Sequence, residues 1–266
     1  MTRTAEGTLH PSAGESLRFD EAAAEQMIRF VEDFGHVYRE RNKALKDLTR
    51  AHNETLLQLC TAAEARDDDT CVHIVRIGFL AEALALLLGC KQDFARMLRR
   101  AAPMHDIGKI GTPDHVLKKA GPLTQEEREI IQRHPRAGAE IIGNSSVPVF
   151  RLAAEVALTH HERYDGTGYP SGLAGHNIPL SGRITAIVDF YDALTMDRVY
   201  RPAMTASTAL TMLMEQRGKA FDPVIVDTFV LHIGMLDGLR RKISKLRPSL
   251  RARRRCRTST AVCALS

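Results

Sequence analysis

The chain has 266 residues, five cysteines and a formal net charge of +5. That length suits one large domain, or a domain with appendages, whose core folds without disulfides. Cys60, Cys71, Cys90, Cys256 and Cys263 are scattered, odd in number and free of any C-x-x-C pair. They argue against a disulfide framework or zinc ribbon and for reduced thiols. Ten basic residues between Arg240 and Arg257, with no acid among them, exceed the whole net charge. The positive balance therefore belongs to the C-terminal end and does not argue for a nucleic-acid-binding domain. Met1 to Ser16 lack a signal-peptide pattern, and the best apolar run, Val75 to Leu88, is broken by Arg76 and Glu82 and is too short for a bilayer. A cytoplasmic protein with no membrane span is expected.

Residues 1–18 are small and polar and are expected to be disordered. Residues 19–55 read as an amphipathic linker or signalling helix, with Ile28, Val31, Phe34, Val37, Tyr38, Leu45 and Leu48 at three- and four-residue steps. It would pack on the following domain or pair with a second copy, its heptad being irregular. Residues 56–238 read as a helical domain. Thr124 to Glu127 form a capping box ahead of His134, Ser181 is a natural N-cap for a helix carrying Asp189 and Asp192, Thr205 caps another, and Asp222-Pro223 opens the last. Glycine and proline concentrate in two loops, Lys109 to Leu123 and Glu162 to Pro179. Residues 239–266 form a basic tail, expected to be disordered and solubilising. The predicted fold class is all-α.

Seven imidazoles and carboxylates stand at wide intervals: His73, the doublet His105-Asp106, His134, the doublet His160-His161, and Asp189. Such donors suit borderline divalent ions, and seven are too many for one tetrahedral site and about right for two metals sharing a carboxylate. Lys109 follows Asp106 by three residues and can present an ammonium to a phosphate oxygen. Neighbouring helical residues point about 100° apart, so His105 and Asp106 can both ligate only if the metals lie along a helix flank.

His105-Asp106-Ile-Gly-Lys109, His160-His161-Glu162 and Asp165-Gly-Thr-Gly168-Tyr169-Pro170 together resemble the HD-GYP family of bacterial cyclic-di-GMP phosphodiesterases, a branch of the HD superfamily of metal-dependent phosphohydrolases. The match extends to Glu64 to Asp67, Thr70 and His73 upstream, and downstream to Gly182 to Ile184, Asp189 to Leu194, Asp197-Arg198 and Tyr200-Arg201. The resemblance implies a helical bundle of the HD-domain type. It implies that His73, His105, Asp106, His134, His160, His161 and Asp189 hold two divalent ions, iron or manganese, with Asp106 bridging. Asp69, four residues before His73, stands where some relatives place a ligand to a third metal; the competing reading is a solvent-exposed acid. Lys109, Arg198, Arg201 and the loop Gly168-Tyr169-Pro170 are the expected substrate contacts, with Asp106 and Lys109 catalytic. Glu162 is expected to orient an imidazole. The implied activity is hydrolysis of the 3′,5′-phosphodiester of cyclic-di-GMP to linear pGpG and on to GMP. Implied partners are GGDEF-type or other signalling proteins at the Gly-Tyr-Pro loop, and a second copy at the N-terminal helix. The alternatives are a catalytically idle interaction module and a phosphohydrolase for another nucleotide.

Overall fold

A computed structural model describes residues 13–64, 71–197 and 202–245. Eleven α-helices follow one another among these residues, with no strand and only two isolated bridges, Asp165 to Ala174 and Arg217 to Phe221. The all-α expectation is met. No described helix is long and apolar enough to cross a membrane.

Helix α1 spans Ala13–Glu64. It opens inside the segment expected to be disordered, because no proline or glycine interrupts the chain from Glu15 to Gly35. It also runs past the expected end at residue 55. Contacts divide the chain into two units, residues 1–54 and 55–266. Within the first, the apolar positions Met27, Phe30, Val31, Phe34 and Val37 are more than half exposed.

The second unit is built on α2 (Cys71–Leu87), which is apolar on nearly all sides and therefore central. It packs against α3 (Gln92–Ala101), α8 (Leu180–Leu194) and α11 (Ile233–Lys245). Ile77, Leu80 and Leu84 of α2 meet Leu98, Ile184, Ile187, Tyr191 and Phe229 in one core, all fully buried. Burial of each such side chain stabilises by about 1.5–3 kcal/mol. The short helices α4 (Asp114–Leu117), α5 (Gln125–Ile131) and α6 (His134–Ile142) lead to α7 (Pro148–Thr159), which packs on α3, α6 and α8. Helix α9 (Ala206–Glu215) and α10 (Pro223–Leu231) close the bundle.

The predicted caps at Thr124, Thr205 and Asp222 are formed: each side chain accepts an amide hydrogen bond of the first helical turn. Ser181 is a correction. Helix α8 starts earlier, after Pro179, and the Ser181 hydroxyl donates instead to Glu155 on α7. The basic tail also begins later than residue 239, since α11 continues to Lys245 with Ile243 buried.

Candidate metal centre

His105 and Asp106 do not lie on an α-helix. Pro103 sits in a single 3₁₀ turn, Ala102–Met104, a second 3₁₀ segment runs Ile107–Gly111, and the doublet occupies the junction between them. This corrects the expected helix flank: the break turns both side chains inward, leaving His105 fully buried and Asp106 7% exposed. Gly108 allows the junction to touch α6. A methyl there would lie 2.0 Å from the His134 carbonyl oxygen and 2.5 Å from the Gly138 nitrogen, too close for any side chain. His73 lies on α2, His134 opens α6, His160 and His161 directly follow α7, and Asp189 projects from α8, so with the junction five elements converge.

All seven sequence-identified residues are brought together. Ligand atoms of Asp106, His134, His160 and His161 lie within 4.8 Å of one another, and those of His73, His105 and Asp189 form a second such group. The Asp106 carboxylate faces both. Its Oδ1 is 3.1 Å from His134 Nε2 and 3.5 Å from His160 Nε2, while its Oδ2 is 3.2 Å from His105 Nε2. Asp189 Oδ1 lies 3.5 Å from His73 Nε2 and 3.7 Å from His105 Nε2.

The imidazole tautomers follow from their outer partners. His105 Nδ1 is 3.0 Å from the Ala102 carbonyl, His134 Nδ1 2.7 Å from that of Ile131, and His160 Nδ1 2.9 Å from that of Ala157. A carbonyl only accepts, so each Nδ1 carries the proton and each Nε2 presents a lone pair to the centre. His73 Nδ1 is held at 2.7 Å by the Asp192 carboxylate. Several lone pairs aimed at one carboxylate repel unless a cation lies among them. Asp106 Oδ1, buried and without a hydrogen-bond partner, adds to that imbalance. The donor set therefore fits divalent metal.

Burial by itself would push the Asp106 carboxyl up. The Lys109 ammonium, 2.8 Å from Oδ2, overcomes this and holds it well below the usual carboxylate range. Burial pushes the His160 imidazole down, and burial with the neighbouring His160 and His134 pushes His161 well down. Both stay neutral and fit to ligate.

Asp192 and Arg76, to which the sequence assigned no role, support the centre. Asp192 is fully buried and accepts from Arg76 Nε at 2.6 Å and Nη2 at 2.8 Å besides His73. A carboxylate three residues after Asp189 was visible in the sequence, but its pairing with Arg76 spans 116 residues. Glu162 is a correction. It orients no imidazole; its two oxygens accept the backbone N–H groups of Ser171 at 2.7 Å and Leu173 at 3.0 Å, tying down the loop after Pro170.

Tyr169 stacks on His161 with centroids 4.8 Å apart and lines an adjoining cleft of about 470 Å³, as do His160, His161 and Asp189. Gly168 and Pro170 are not on its wall. Gly168 fits against the chain, where a methyl would meet the Arg163 nitrogen at 2.3 Å, and the Pro170 carbonyl accepts from Arg136. Asp69, Arg198 and Arg201 lie outside the described residues.

Fold and site together define an α-helical protein with a His–Asp cluster able to hold divalent metal. A family described as "HD domain" matches residues 43–225. The cyclic di-GMP phosphodiesterase response regulator RpfG of Xanthomonas campestris pv. campestris is 43% identical over 187 residues, covering 70% of this chain and 50% of that protein. A 3′3′-cGAMP-specific phosphodiesterase 2 of Vibrio cholerae is 41% identical over 186 residues, covering 70% and 36%. A cyclic di-GMP phosphodiesterase of Thermotoga maritima is 42% identical over 177 residues, covering 66% and 48%. The matched part of this chain thus spans half or less of these relatives' length. Among solved structures, a cyclic GMP-AMP-specific phosphodiesterase of V. cholerae, V-cGAP3, shares the fold with a TM-score of 0.53 at 20% identity, covering 73% of this chain and 53% of that one. The chain belongs to the HD-domain family, in its HD-GYP branch.

Proposed function

We propose that this chain is a metal-dependent phosphodiesterase that opens the 3′,5′-phosphodiester of cyclic-di-GMP to linear pGpG, and then to GMP, in the bacterial cytoplasm. The observation that carries the reading is the convergence of the His105, His134 and His160 Nε2 atoms, from three elements, on the two oxygens of Asp106. His134, His160 and His161 with Asp106 would hold one divalent ion, and His73, His105 and Asp189 with Asp106 the other. Iron or manganese suits such a His–carboxylate set. Bound ions would supply Lewis acidity at phosphorus and lower the pKa of water.

The protein groups contribute position and charge. Asp106 sets the spacing between the two groups, and Lys109 balances its charge at one edge and is the cation available to a phosphate oxygen. The backbone carbonyls and Asp192 fix the imidazole planes before anything binds. Tyr169, packed on His161, forms the cleft wall beside the reacting phosphate. Arg198 and Arg201 complete the proposed phosphate contacts, and Asp69 the proposed third-metal ligand. Signalling proteins of the GGDEF type at the Gly168-Tyr169-Pro170 loop, and a second copy along α1, are the proposed protein partners.

The test is turnover of cyclic-di-GMP by protein purified anaerobically and loaded with iron or manganese, beside an Asp106→Ala variant. Linear pGpG from the wild type and none from the variant is expected. No product from the metal-replete wild type would overturn the proposal. A second substrate, 3′,3′-cGAMP, has specific support, because a relative named for it matches at 41% identity.

A further inference from the structure

The cleft beside the centre is built from two kinds of surface. At 470 Å³ it lies within the usual range for small-ligand clefts, about 300–1,000 Å³. Away from the His–Asp cluster its wall is apolar, with Phe190 and Phe221 at a centroid separation of 5.0 Å and Met212 from α9. Phe190 directly follows Asp189 on α8, so this wall begins at the centre itself. At the C-terminal end of α9 the wall ends in two adjacent polar side chains, Glu215 and Gln216.

The other polar groups there are already engaged. Glu162 accepts the Ser171 and Leu173 amides, and Arg163 donates to Thr167 and Asp165. Glu215 and Gln216 make no side-chain hydrogen bond or ion pair among the described residues. Their backbone is nonetheless fixed. The Phe221 N–H donates to the Gln216 carbonyl at 3.1 Å, and the turn between them receives the Tyr164 and Asp165 amides on the Ala220 and Lys219 carbonyls. A carboxylate and an amide thus stand side by side at the end of an aromatic wall.

Resting on the cyclic-dinucleotide reading above, we infer that Glu215 and Gln216 read the Watson–Crick edge of a guanine lying against Phe190 and Phe221. Guanine presents two neighbouring donors, N1–H and the 2-amino group, which a carboxylate accepts as a pair. Its O6 then faces the Gln216 amide as an acceptor. Adenine presents a lone pair at N1 and no 2-amino group to the carboxylate, so that pair is lost, while Gln216 can turn its amide oxygen toward the 6-amino group. Base edges are read by such paired contacts, and each good pair discriminates by about ten-fold or more. The inference assigns guanine preference to α9, apart from the residues that hold metal and phosphate.

The test is calorimetric binding of GMP, IMP and AMP to the full manganese-loaded chain. The three share phosphate and ribose, so their differences report the base. GMP is expected to bind about ten-fold more tightly than AMP, with IMP, which lacks the 2-amino group, between them. Glu215→Ala should bring the three within about two-fold, with manganese stoichiometry reporting an intact centre. Gln216→Ala should weaken GMP, IMP and AMP by a similar factor; it also keeps the inference testable if the first variant fails to fold. Equal wild-type affinity for GMP and AMP, an undiminished ratio in Glu215→Ala, or unchanged GMP affinity in Gln216→Ala overturns the assignment. A Glu215-dependent GMP preference without turnover of any cyclic dinucleotide supports this base site and overturns the phosphodiesterase reading alone.

Discussion

Asp192 offers a direct measurement of how the bundle holds His73, the first histidine of the cluster. The side chain is fully buried and takes three hydrogen bonds: from His73 Nδ1 at 2.7 Å, from Arg76 Nε at 2.6 Å and from Arg76 Nη2 at 2.8 Å. Asp192→Asn keeps the shape but leaves one acceptor oxygen and turns an NH₂ toward a donor. The Arg76 guanidinium, 5% exposed, is then left without its counter-charge; its remaining side-chain contacts are Ser244 and Met196. Removing one partner of a buried ion pair costs about 3–5 kcal/mol. Urea unfolding in EDTA, which removes metal linkage from the comparison, should show a loss of that size. Manganese affinity of the folded variant should fall about 10–100-fold, because His73 loses the carboxylate that orients it and raises its basicity. Arg76→Met together with Asp192→Asn should recover about 2–3 kcal/mol of the lost stability, the coupling expected for groups in contact, without restoring metal affinity. A single variant within about 1 kcal/mol of wild type, or a double variant no more stable than the single, would refute the argument.

Gly108→Ala forces a methyl to 2.0 Å from the His134 carbonyl, so the 3₁₀ junction and α6 must part; manganese stoichiometry measured by elemental analysis should fall while helicity by circular dichroism persists. Glu162→Gln puts an amide NH₂ against one of the two loop N–H groups it now accepts. It should cost about 1–3 kcal/mol and open the loop after Pro170 to limited proteolysis, and unchanged cleavage would contradict the tether. Burial, and then the Asp237 charge, push the Tyr191 phenol up to about 12. The folded chain keeps this proton where the unfolded chain, near 10, has lost it. Stability is therefore complete below about pH 10 and falls by about 2–3 kcal/mol as pH rises toward 12; Tyr191→Phe should blunt that loss in chemical denaturation at high pH.

Helices and caps were legible where local chemistry settles them: the Thr124 capping box, the Thr205 cap and the Asp222-Pro223 start each need only neighbours within one turn. The Ser181 cap failed because a tertiary acceptor, Glu155, competes for the same hydroxyl. Donor chemistry suggested the seven clustered residues, and the family resemblance singled them out from the other histidines and acids of the chain. Which residue falls in which of the two groups around Asp106 was not readable, because it depends on where a 3₁₀ junction and four helices meet.

Composition and motif order thus determined an all-helical chain carrying a divalent-metal donor set. Only the tertiary structure decided that Asp192 is shared by His73 and Arg76, that Glu162 serves a loop instead of an imidazole, and that Glu215 and Gln216 close an aromatic cleft beside Asp189. Residue chemistry is a local property that survives in the string of letters. Which buried group answers which depends on how segments pack, for Asp192 and His73 across 119 residues of sequence, and no local pattern encodes that.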